Sequence, residues 1–160
     1  KIKQPLILGS MIPQKKSINK KLKIDCQLNF YDIDDFENWG LKLSKQYLNT
    51  PYLWGGRSTT GIDCSGLTQM IYRFFNIHLP RDSHDQSKKG KKINFETSNL
   101  GDLAFFEEKK KITHVGIILN NKKIIHASGK VRVDQIDKKG IFNFELKKYT
   151  HKLKVIKRVF

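Results

Sequence analysis

One run of apolar residues in the middle of the sequence constrains the fold more than any other feature. Its large side chains lie at positions i, i+3, i+4, i+7 and i+8: Leu67, Met70, Ile71, Phe74 and Phe75. This spacing is typical of an α-helix that buries one face against a core. Asp63 is a natural N-cap residue, so we expect Cys64 to lie in the first turn of this helix.

The segments on either side of this helix predict an α+β domain. We expect one further helix from about Asp35 to Leu48, with Asp34 or Asp35 as its N-cap, and a short helix from about Ser83 to Lys89. Apolar, β-rich runs then predict strands at Asp102–Phe106, Ile112–Leu119, Lys123–Ser128, Val131–Val133 and Leu153–Val159. Helices that precede an antiparallel sheet define the α+β class, and a chain of 160 residues fits one such domain.

Residues 1–28 differ in composition from the rest of the chain. They contain Pro5, Gly9 and Pro13 among scattered lysines, with only short apolar pieces. We therefore divide the chain into an N-terminal extension, residues 1–28, and a main domain, residues 29–160. The two cysteines, Cys26 and Cys64, form no CxxC motif, which argues against a zinc site. They could form one bridge in an oxidising compartment, but we expect both thiols to be free.

The net charge of the chain is +16, from 31 basic and 15 acidic residues. Such a charge predicts attraction to an anionic polymer: nucleic acid, anionic lipid or cell wall. The alternative is a lysine-rich composition spread over a solvated surface, and the even distribution of lysines favours it. Nucleic-acid binders concentrate their charge on one face, so nucleic acid is not an expected partner. No apolar run approaches the roughly 20 residues that span a bilayer.

Cys64, at the start of a predicted helix, is a candidate nucleophile. A thiol reacts as its thiolate, and a free pKa of about 8.5 leaves little thiolate at neutral pH. A helix N-terminus favours the negative charge by only about 0.3–1 kcal/mol. A nearby imidazole must therefore accept the proton. The alternative is a buried structural cysteine with no chemical role.

Two histidines on neighbouring strands can supply that imidazole. His114 and His126 lie on the two arms of a hairpin predicted around Asn120-Asn121. A two-residue loop would pair Val115 with His126 and separate the histidines, whereas an odd-length loop or a bulge would put them opposite each other, with Cβ atoms roughly 5 Å apart. His114 would then be the base and His126 would orient it; the alternative is a pair of ordinary half-buried strand residues. No role is assigned to the histidines that lack a comparable partner: His78, His84 and His151.

Six short motifs surround these candidate residues. In chain order they are Pro51–Gly56, Gly61–Leu67, Leu79–Ser83 with Gln86 and Gly90 after it, Gly101–Phe106, His114–Ile117 and Ile125–Ser128. Each motif alone is weakly specific, but all six in this order make a specific pattern. From Tyr52 to Gly129, about half of the chain, the sequence resembles the NlpC-type cysteine peptidases of bacterial cell walls.

The resemblance implies a papain-like core, in which a helix that starts at the nucleophile Cys64 packs on an antiparallel sheet that carries His114 and His126. It implies a cysteine endopeptidase that needs no metal or other cofactor. The expected substrates are peptidoglycan stem peptides or muropeptides, cut between the γ-carboxyl of D-glutamate and a diamino acid. Anionic wall polymers are a second candidate partner. The resemblance also implies an extracytoplasmic location, although the sequence shows no signal peptide, and we expect a monomer.

The resemblance implies further roles near the nucleophile. Tyr52, with the backbone N–H of Cys64, would stabilise the oxyanion; the alternative is a packing aromatic. Three polar residues would bind substrate: Asp63, Ser65 and Ser83. Asp63 would hold the ammonium group of an N-terminal L-alanine in members that require one, and an N-cap role is equally expected. Arg81 is expected to support its loop. Many members carry SH3-type domains before the catalytic domain, and residues 1–28 fit the tail of one.

Other functions compete with the endopeptidase. A cell-wall amidase on the same core would carry the same catalytic residues. The permuted acyltransferase relatives place histidine before cysteine, whereas here Cys64 precedes His114. A non-catalytic wall-binding module would be expected to have lost a catalytic residue, and the sequence retains Cys64, His114 and His126.

Overall fold

The computed structural model of the protein describes residues 31–120 and 122–160. Over these ranges, short helices precede an antiparallel sheet, which is the α+β order predicted from the sequence. The predicted N-terminal extension, residues 1–28, and Cys26 within it lie outside the described residues. Within the described part of the chain, no helix is both long enough and apolar enough to cross a membrane.

The first predicted helix is present but irregular. It consists of a 3-10 helix at Ile33–Asp35, a π-helix at Phe36–Gly40 and an α-helix, α1, at Leu41–Gln46. The predicted N-cap, Asp34 or Asp35, is wrong. The cap is Asp32, whose side chain accepts a hydrogen bond from the backbone N–H of Asp34 at 3.3 Å, because a 3-10 turn precedes the apolar stripe.

Helix α2 spans Cys64–Arg73 and begins where the sequence predicts. Asp63 is its N-cap and accepts a hydrogen bond from the backbone N–H of Gly66 at 2.7 Å. The side chains of Leu67 and Ile71 are fully buried in the core that this helix shares with the sheet. The apolar stripe therefore faces the core, and the cap fixes Cys64 as the first residue of the helix.

Helix α3 spans Ser83–Gln86 and is shorter than predicted. The buried Gln86 ties it to α2, because its side chain accepts a hydrogen bond from the Thr68 hydroxyl at 2.8 Å and donates one to the Ser65 carbonyl at 3.1 Å. The start of α3 is thus held beside the start of α2.

In chain order, the strands of the described residues are β1 (Arg57–Ser58), β2 (Gly61–Ile62), β3 (Lys91–Ile93), β4 (Leu103–Glu108), β5 (Lys111–Leu119), β6 (Lys123–Ser128), β7 (Lys130–Ile136), β8 (Gly140–Asn143) and β9 (Lys148–Arg158). The five predicted strands are confirmed as β4, β5, β6, β7 and β9, and β7 and β9 extend beyond their predicted bounds. Strands β1, β2, β3 and β8 were not predicted, because two to four residues are too few to show an alternating pattern.

The large sheet closes on itself. Its strand order is β3-β9-β4-β5-β6-β7-β8, and β8 also pairs with β9, so that the strands from β4 to β9 form a ring. Alternate residues of a strand face opposite sides. In β4, Phe105 joins the core that contains α2, whereas Phe106 joins a second core on the other face. His114 is the cross-strand partner of Phe106 and shares that second face.

The hairpin between β5 and β6 has the odd-length connection that the catalytic hypothesis requires. Leu119 pairs with Lys123, so three residues join the strands, and Lys122 takes the left-handed conformation with φ of 54°. The prediction that His114 and His126 lie directly opposite each other is wrong. His126 pairs with Gly116, because a connection of three residues between Leu119 and Lys123 fixes this register of the two strands. The two histidines lie on the same face, one diagonal step apart.

Candidate active site

The thiol of Cys64 lies at the junction of α2 and the sheet. Only 7% of the residue is exposed. The backbone N–H groups of Val115, Ser65 and Cys64 itself lie near the sulfur and act to lower the pKa of the thiol. The Val115 N–H belongs to the peptide group that links His114 to Val115 on β5. The sulfur is therefore held against the backbone of the strand that carries the first histidine.

Burial, more than any other factor, sets the protonation of this thiol. It raises the pKa of Cys64 above its ordinary value, and the negative charge of Asp63 acts in the same direction. The three N–H donors lower the pKa without cancelling the effect of burial. The sequence predicts that the helix start and an imidazole favour the thiolate, but the surroundings of the free site favour the neutral thiol.

His114 and His126 form a hydrogen-bonded pair. Nε2 of His114 lies 2.9 Å from Nδ1 of His126, and the two rings meet edge to face with an angle of 88° between their planes. Burial lowers the pKa of His114 well below the usual range, and the neighbouring His126 and His151 add to this effect. Burial also lowers the pKa of His126, against the opposing influence of Asp134. Both imidazoles are therefore neutral near pH 7.

A carboxylate that the sequence did not suggest lies behind His126. Asp134 on β7 is buried, and its Oδ2 lies 3.0 Å from Nε2 of His126. Arg132 grips the same carboxylate with two hydrogen bonds, Nε to Oδ2 at 2.7 Å and Nη2 to Oδ1 at 3.0 Å, and Glu145 accepts a further bond from Arg132. The signal in the sequence was an acidic residue directly after the predicted strand Val131–Val133 and two positions before Ile136.

His151 on β9 completes the group of imidazoles. Its ring stacks on that of His114, with centroids 4.1 Å apart and 26° between the planes. The prediction that His151 has no comparable partner is therefore wrong. The ring closure that pairs β9 with β8 and β4 brings it to the site. Burial lowers the pKa of His151 to about 4, so this imidazole is also neutral near pH 7.

These three histidines are the group of described residues that comes nearest to a metal site. One ring nitrogen from each of His114, His126 and His151 lies within 4.8 Å of the others. Ring lone pairs lie in the ring plane, so the nearly parallel rings of His114 and His151 direct theirs side by side and not toward one point. The facing nitrogens of His114 and His126 are already bonded to each other. The arrangement suits a hydrogen-bonded relay better than metal coordination.

Asp63 is surrounded by donors. One carboxylate oxygen accepts from the Gly66 N–H at 2.7 Å, the Ser65 hydroxyl at 3.3 Å and Nη1 of Arg81 at 3.0 Å. The other accepts from the Gly55 N–H at 2.8 Å and from Nη2 of Arg81. The N-cap role of Asp63 is confirmed. With five donors in place, the carboxylate has little capacity left for an ammonium group of a substrate.

The other residues predicted at the site lie around the start of α2. Tyr52 is half-buried, and its backbone N–H donates to the Gly129 carbonyl at 2.9 Å. Burial raises the pKa of Tyr52, and the charge of Cys64 is the next largest cause, as expected of a phenol near the thiol. Ser65 follows Cys64 and accepts a hydrogen bond from Arg81 at 2.8 Å. Ser83 is buried at the first position of α3.

Comparison with known proteins identifies the family. The fold is an α+β domain with a cysteine at a helix start and paired histidines on the sheet beside it. The family model described as NlpC/P60 family matches residues 49–150. The chain belongs to the NlpC/P60 family, which confirms the resemblance seen in its motifs.

Individual relatives agree with this assignment. Over 84 residues, 51% of this chain, it is 42% identical to the gamma-D-glutamyl-L-lysine dipeptidyl-peptidase of Bacillus subtilis (strain 168). Over 86 residues, it is 40% identical to a probable endopeptidase of Haemophilus influenzae. The matches span 28% and 53% of those relatives. A crystal structure of an NlpC/P60 family protein from Bacillus cereus ATCC 10987 superposes with a TM-score of 0.67 at 28% identity, over 82% of this chain and 41% of that one.

Proposed function

We propose that the protein is a cysteine endopeptidase that hydrolyses peptidoglycan stem peptides at the bond between the γ-carboxyl of D-glutamate and a diamino acid. The observation that carries the proposal is the position of the Cys64 sulfur against the His114–Val115 peptide, on the strand whose His114 is bonded to His126. Family membership and a relative named for the γ-D-glutamyl-L-lysine bond support the choice of substrate.

In the first step, His114 takes the proton of Cys64 as the sulfur attacks the carbonyl carbon of the substrate. Burial favours the neutral thiol and the neutral imidazole, so proton transfer accompanies the attack and does not precede it. The transfer forms an imidazolium on His114. Nε2–H of that imidazolium donates a hydrogen bond to Nδ1 of His126. His126 is thus the residue that orients the base.

The negative charge that develops on the carbonyl oxygen is stabilised by Tyr52 and by the backbone N–H of Cys64. The raised pKa of Tyr52 keeps its hydroxyl protonated over the working pH range, so the hydroxyl can donate. A donor of this kind contributes about 3 kcal/mol to the stability of the transition state.

The intermediate collapses when His114 returns its proton to the leaving amine of the diamino acid. The carbon–nitrogen bond breaks and a thioester to Cys64 remains. A water molecule, deprotonated by His114, then attacks the thioester carbonyl. The proton from His114 returns to the departing sulfur, which releases the D-glutamyl product and restores the free enzyme.

Ser65 and Ser83 are the residues to which we assign contacts with the stem peptide. They lie at the starts of α2 and α3, which Gln86 holds together. Asp63 contributes by holding Ser65 and Arg81 in place. A cell-wall substrate implies an extracytoplasmic site of action, and the net charge of +16 suits an anionic wall.

Mass spectrometry of digested muropeptides tests this function. We expect the wild-type protein to release products that end in D-glutamate with a free γ-carboxyl, and Cys64→Ala to release none while its circular dichroism is unchanged. Cys26→Ala is the matched control for loss of a thiol and should retain activity. Hydrolysis by Cys64→Ala at the wild-type rate would refute the mechanism, and cleavage between sugar and peptide would identify an amidase.

A further inference from the structure

Asp134 acts on the site as an acceptor only. Burial works to raise its pKa, but the hydrogen bonds from His126 and Arg132 outweigh burial and hold the pKa below its usual value. The carboxylate is therefore ionised and has no proton to donate. The bond of 3.0 Å between Asp134 Oδ2 and His126 Nε2 consequently requires that the proton lie on Nε2 of His126.

The position of the proton on His126 fixes the position of the proton on His114. A neutral imidazole carries one proton, so His126 protonated at Nε2 has a lone pair at Nδ1. That Nδ1 lies 2.9 Å from Nε2 of His114, and the contact is a hydrogen bond only if His114 is the donor. His114 is therefore protonated at Nε2 and has its lone pair at Nδ1.

We propose that Asp134, clamped by Arg132, is a positioning residue that sets the tautomer of His114 through His126. The proposal rests on the proposed function, because the lone pair at Nδ1 of His114 is the one left to receive the thiol proton. The opposite tautomer would carry a proton at Nδ1 and could not act as the base. Asp134 touches neither the substrate nor the thiol in this scheme, and no proton leaves His126 during the reaction.

Removing the acceptor is the direct test of this relay. Asp134→Asn is not sufficient, because the carboxylate oxygen that faces Nε2 of His126 also accepts from Nε of Arg132, and an asparagine oxygen in that place would still accept from both. In Asp134→Leu, the Nε2 proton of His126 has no acceptor, and the guanidinium of Arg132 beside it has only donors. His126 is then free to carry its proton at Nδ1. His114 would in that case accept at Nε2 and carry its own proton at Nδ1.

The test is Asp134→Leu, assayed on a tripeptide L-Ala-γ-D-Glu-L-Lys and examined by long-range ¹H–¹⁵N NMR of the imidazole nitrogens. We expect kcat to fall by about 10-fold or more, a smaller loss than the roughly 10⁴-fold seen when the aspartate of a serine-protease triad, which contacts the base itself, becomes asparagine. KM should stay within about twofold of the wild type because Asp134 touches no substrate. The spectra should show a proton at Nδ1 of His114 that the wild type lacks. An unchanged tautomer or an unchanged kcat would overturn the proposal.

Gln135→Leu is the matched control, because Gln135 is the exposed neighbour of Asp134 on the same strand and faces away from the histidines. It should leave the histidine signals and kcat as in the wild type.

The wild-type spectrum keeps the proposal testable if Asp134→Leu fails to fold. Near pH 7 it should show protons at Nε2 of both His114 and His126, and a proton at Nδ1 of His114 would overturn the proposal. This readout is independent of activity. Retained hydrolysis by Cys64→Ala would remove the proposed function, whereas the spectrum alone decides whether Asp134 sets the tautomer.

Discussion

Nε2 of His114 lies 2.9 Å from Nδ1 of His126, although the residue directly opposite His126 in the sheet is Gly116. The histidines therefore meet along the diagonal of the β5–β6 ladder. A Cβ atom at position 116 would lie 2.7 Å from Cδ1 of Ile124 and 2.9 Å from the carbonyl oxygen of Ile125. Strands β5 and β6 can therefore approach closely beside His126 only because residue 116 is a glycine.

We expect Gly116→Ala to weaken both stability and catalysis. The added methyl group would push the Ile125 backbone away and shift His126 from His114. Overpacking of this kind costs about 1–3 kcal/mol in the free energy of unfolding, measurable by urea denaturation, and kcat should fall as well. Thr113→Ala, at an exposed position of the same strand, should change neither quantity. Wild-type stability and kcat in Gly116→Ala would show that the strand spacing is not critical.

Much of the hairpin could be predicted from the sequence, but its register could not. Alternation identifies β5 and β6, and the need to bring two histidines to one face predicts an odd-length connection. The choice between a direct and a diagonal pair depends on the number of loop residues, which is three because Leu119 pairs with Lys123. A polar turn sequence does not specify that number, since loops of two or three residues accept the same residue types.

Asp134 and His151 escaped prediction for a different reason. Both reach the histidine pair through pairings that are distant in sequence or beyond the predicted strand bounds. Asp134 follows the predicted end of its strand at Val133. His151 depends on β9 closing the ring against β8. Periodicity reports which residues share a face of one strand, but not which strands become neighbours. By contrast, α2 and its cap at Asp63 were predictable because a helix start is a local signal.

The pH dependence of kcat/KM should show a broad plateau. His114 accepts a proton only when neutral, and its pKa lies well below the ordinary value of 6.5, so the loss of activity on the acid side should occur below pH 6.5. The thiol must carry its proton in the concerted step, and burial raises its pKa above the ordinary value, which is about 8.5. The loss on the alkaline side should therefore occur above about pH 8.5. Kinetics on the tripeptide across the pH range in which the protein stays folded provide the measurement.

Alkylation of Cys64 by iodoacetamide gives an independent check on the same point. At pH 7 it should be no faster than alkylation of a small free thiol, because the neutral form dominates. A rapid alkylation that does not depend on pH would show that the free enzyme already holds a thiolate–imidazolium pair. A loss of kcat/KM on the acid side that begins above pH 6.5 would show the same.

Asp63→Asn should destabilise the protein more than it weakens substrate binding. The side chain of Asp63 is 7% exposed, and its partner Arg81 is 32% exposed. Removing the charge leaves Arg81 without its partner and weakens the cap of α2. Since Arg81 is partly solvated, we expect a loss of about 2 kcal/mol, less than for a fully buried pair. Thermal and urea unfolding measure this loss.

Asp82→Asn is the control for that experiment. Asp82 is exposed, and its side chain makes no capping hydrogen bond to α3, so stability should change little. If Asp63 instead binds a substrate ammonium group, Asp63→Asn would raise KM selectively for peptides with a free N-terminus and leave the unfolding curve unchanged.

His151 should make the protein sensitive to acid. Its pKa is about 4 in the folded protein and 6.5 in its ordinary state, so between these values the unfolded chain binds more protons and stability falls as the pH is lowered. From pH 7 to pH 4.5 the contribution of this residue is on the order of 2 kcal/mol, at about 1.4 kcal/mol per pKa unit. His151→Phe keeps an aromatic ring against His114 and removes the titration, so urea unfolding at the two pH values should show a smaller loss than in the wild type. The exposed-site control His84→Gln should behave as the wild type does, and an equal loss in His151→Phe would mean that protonation of His151 does not oppose folding.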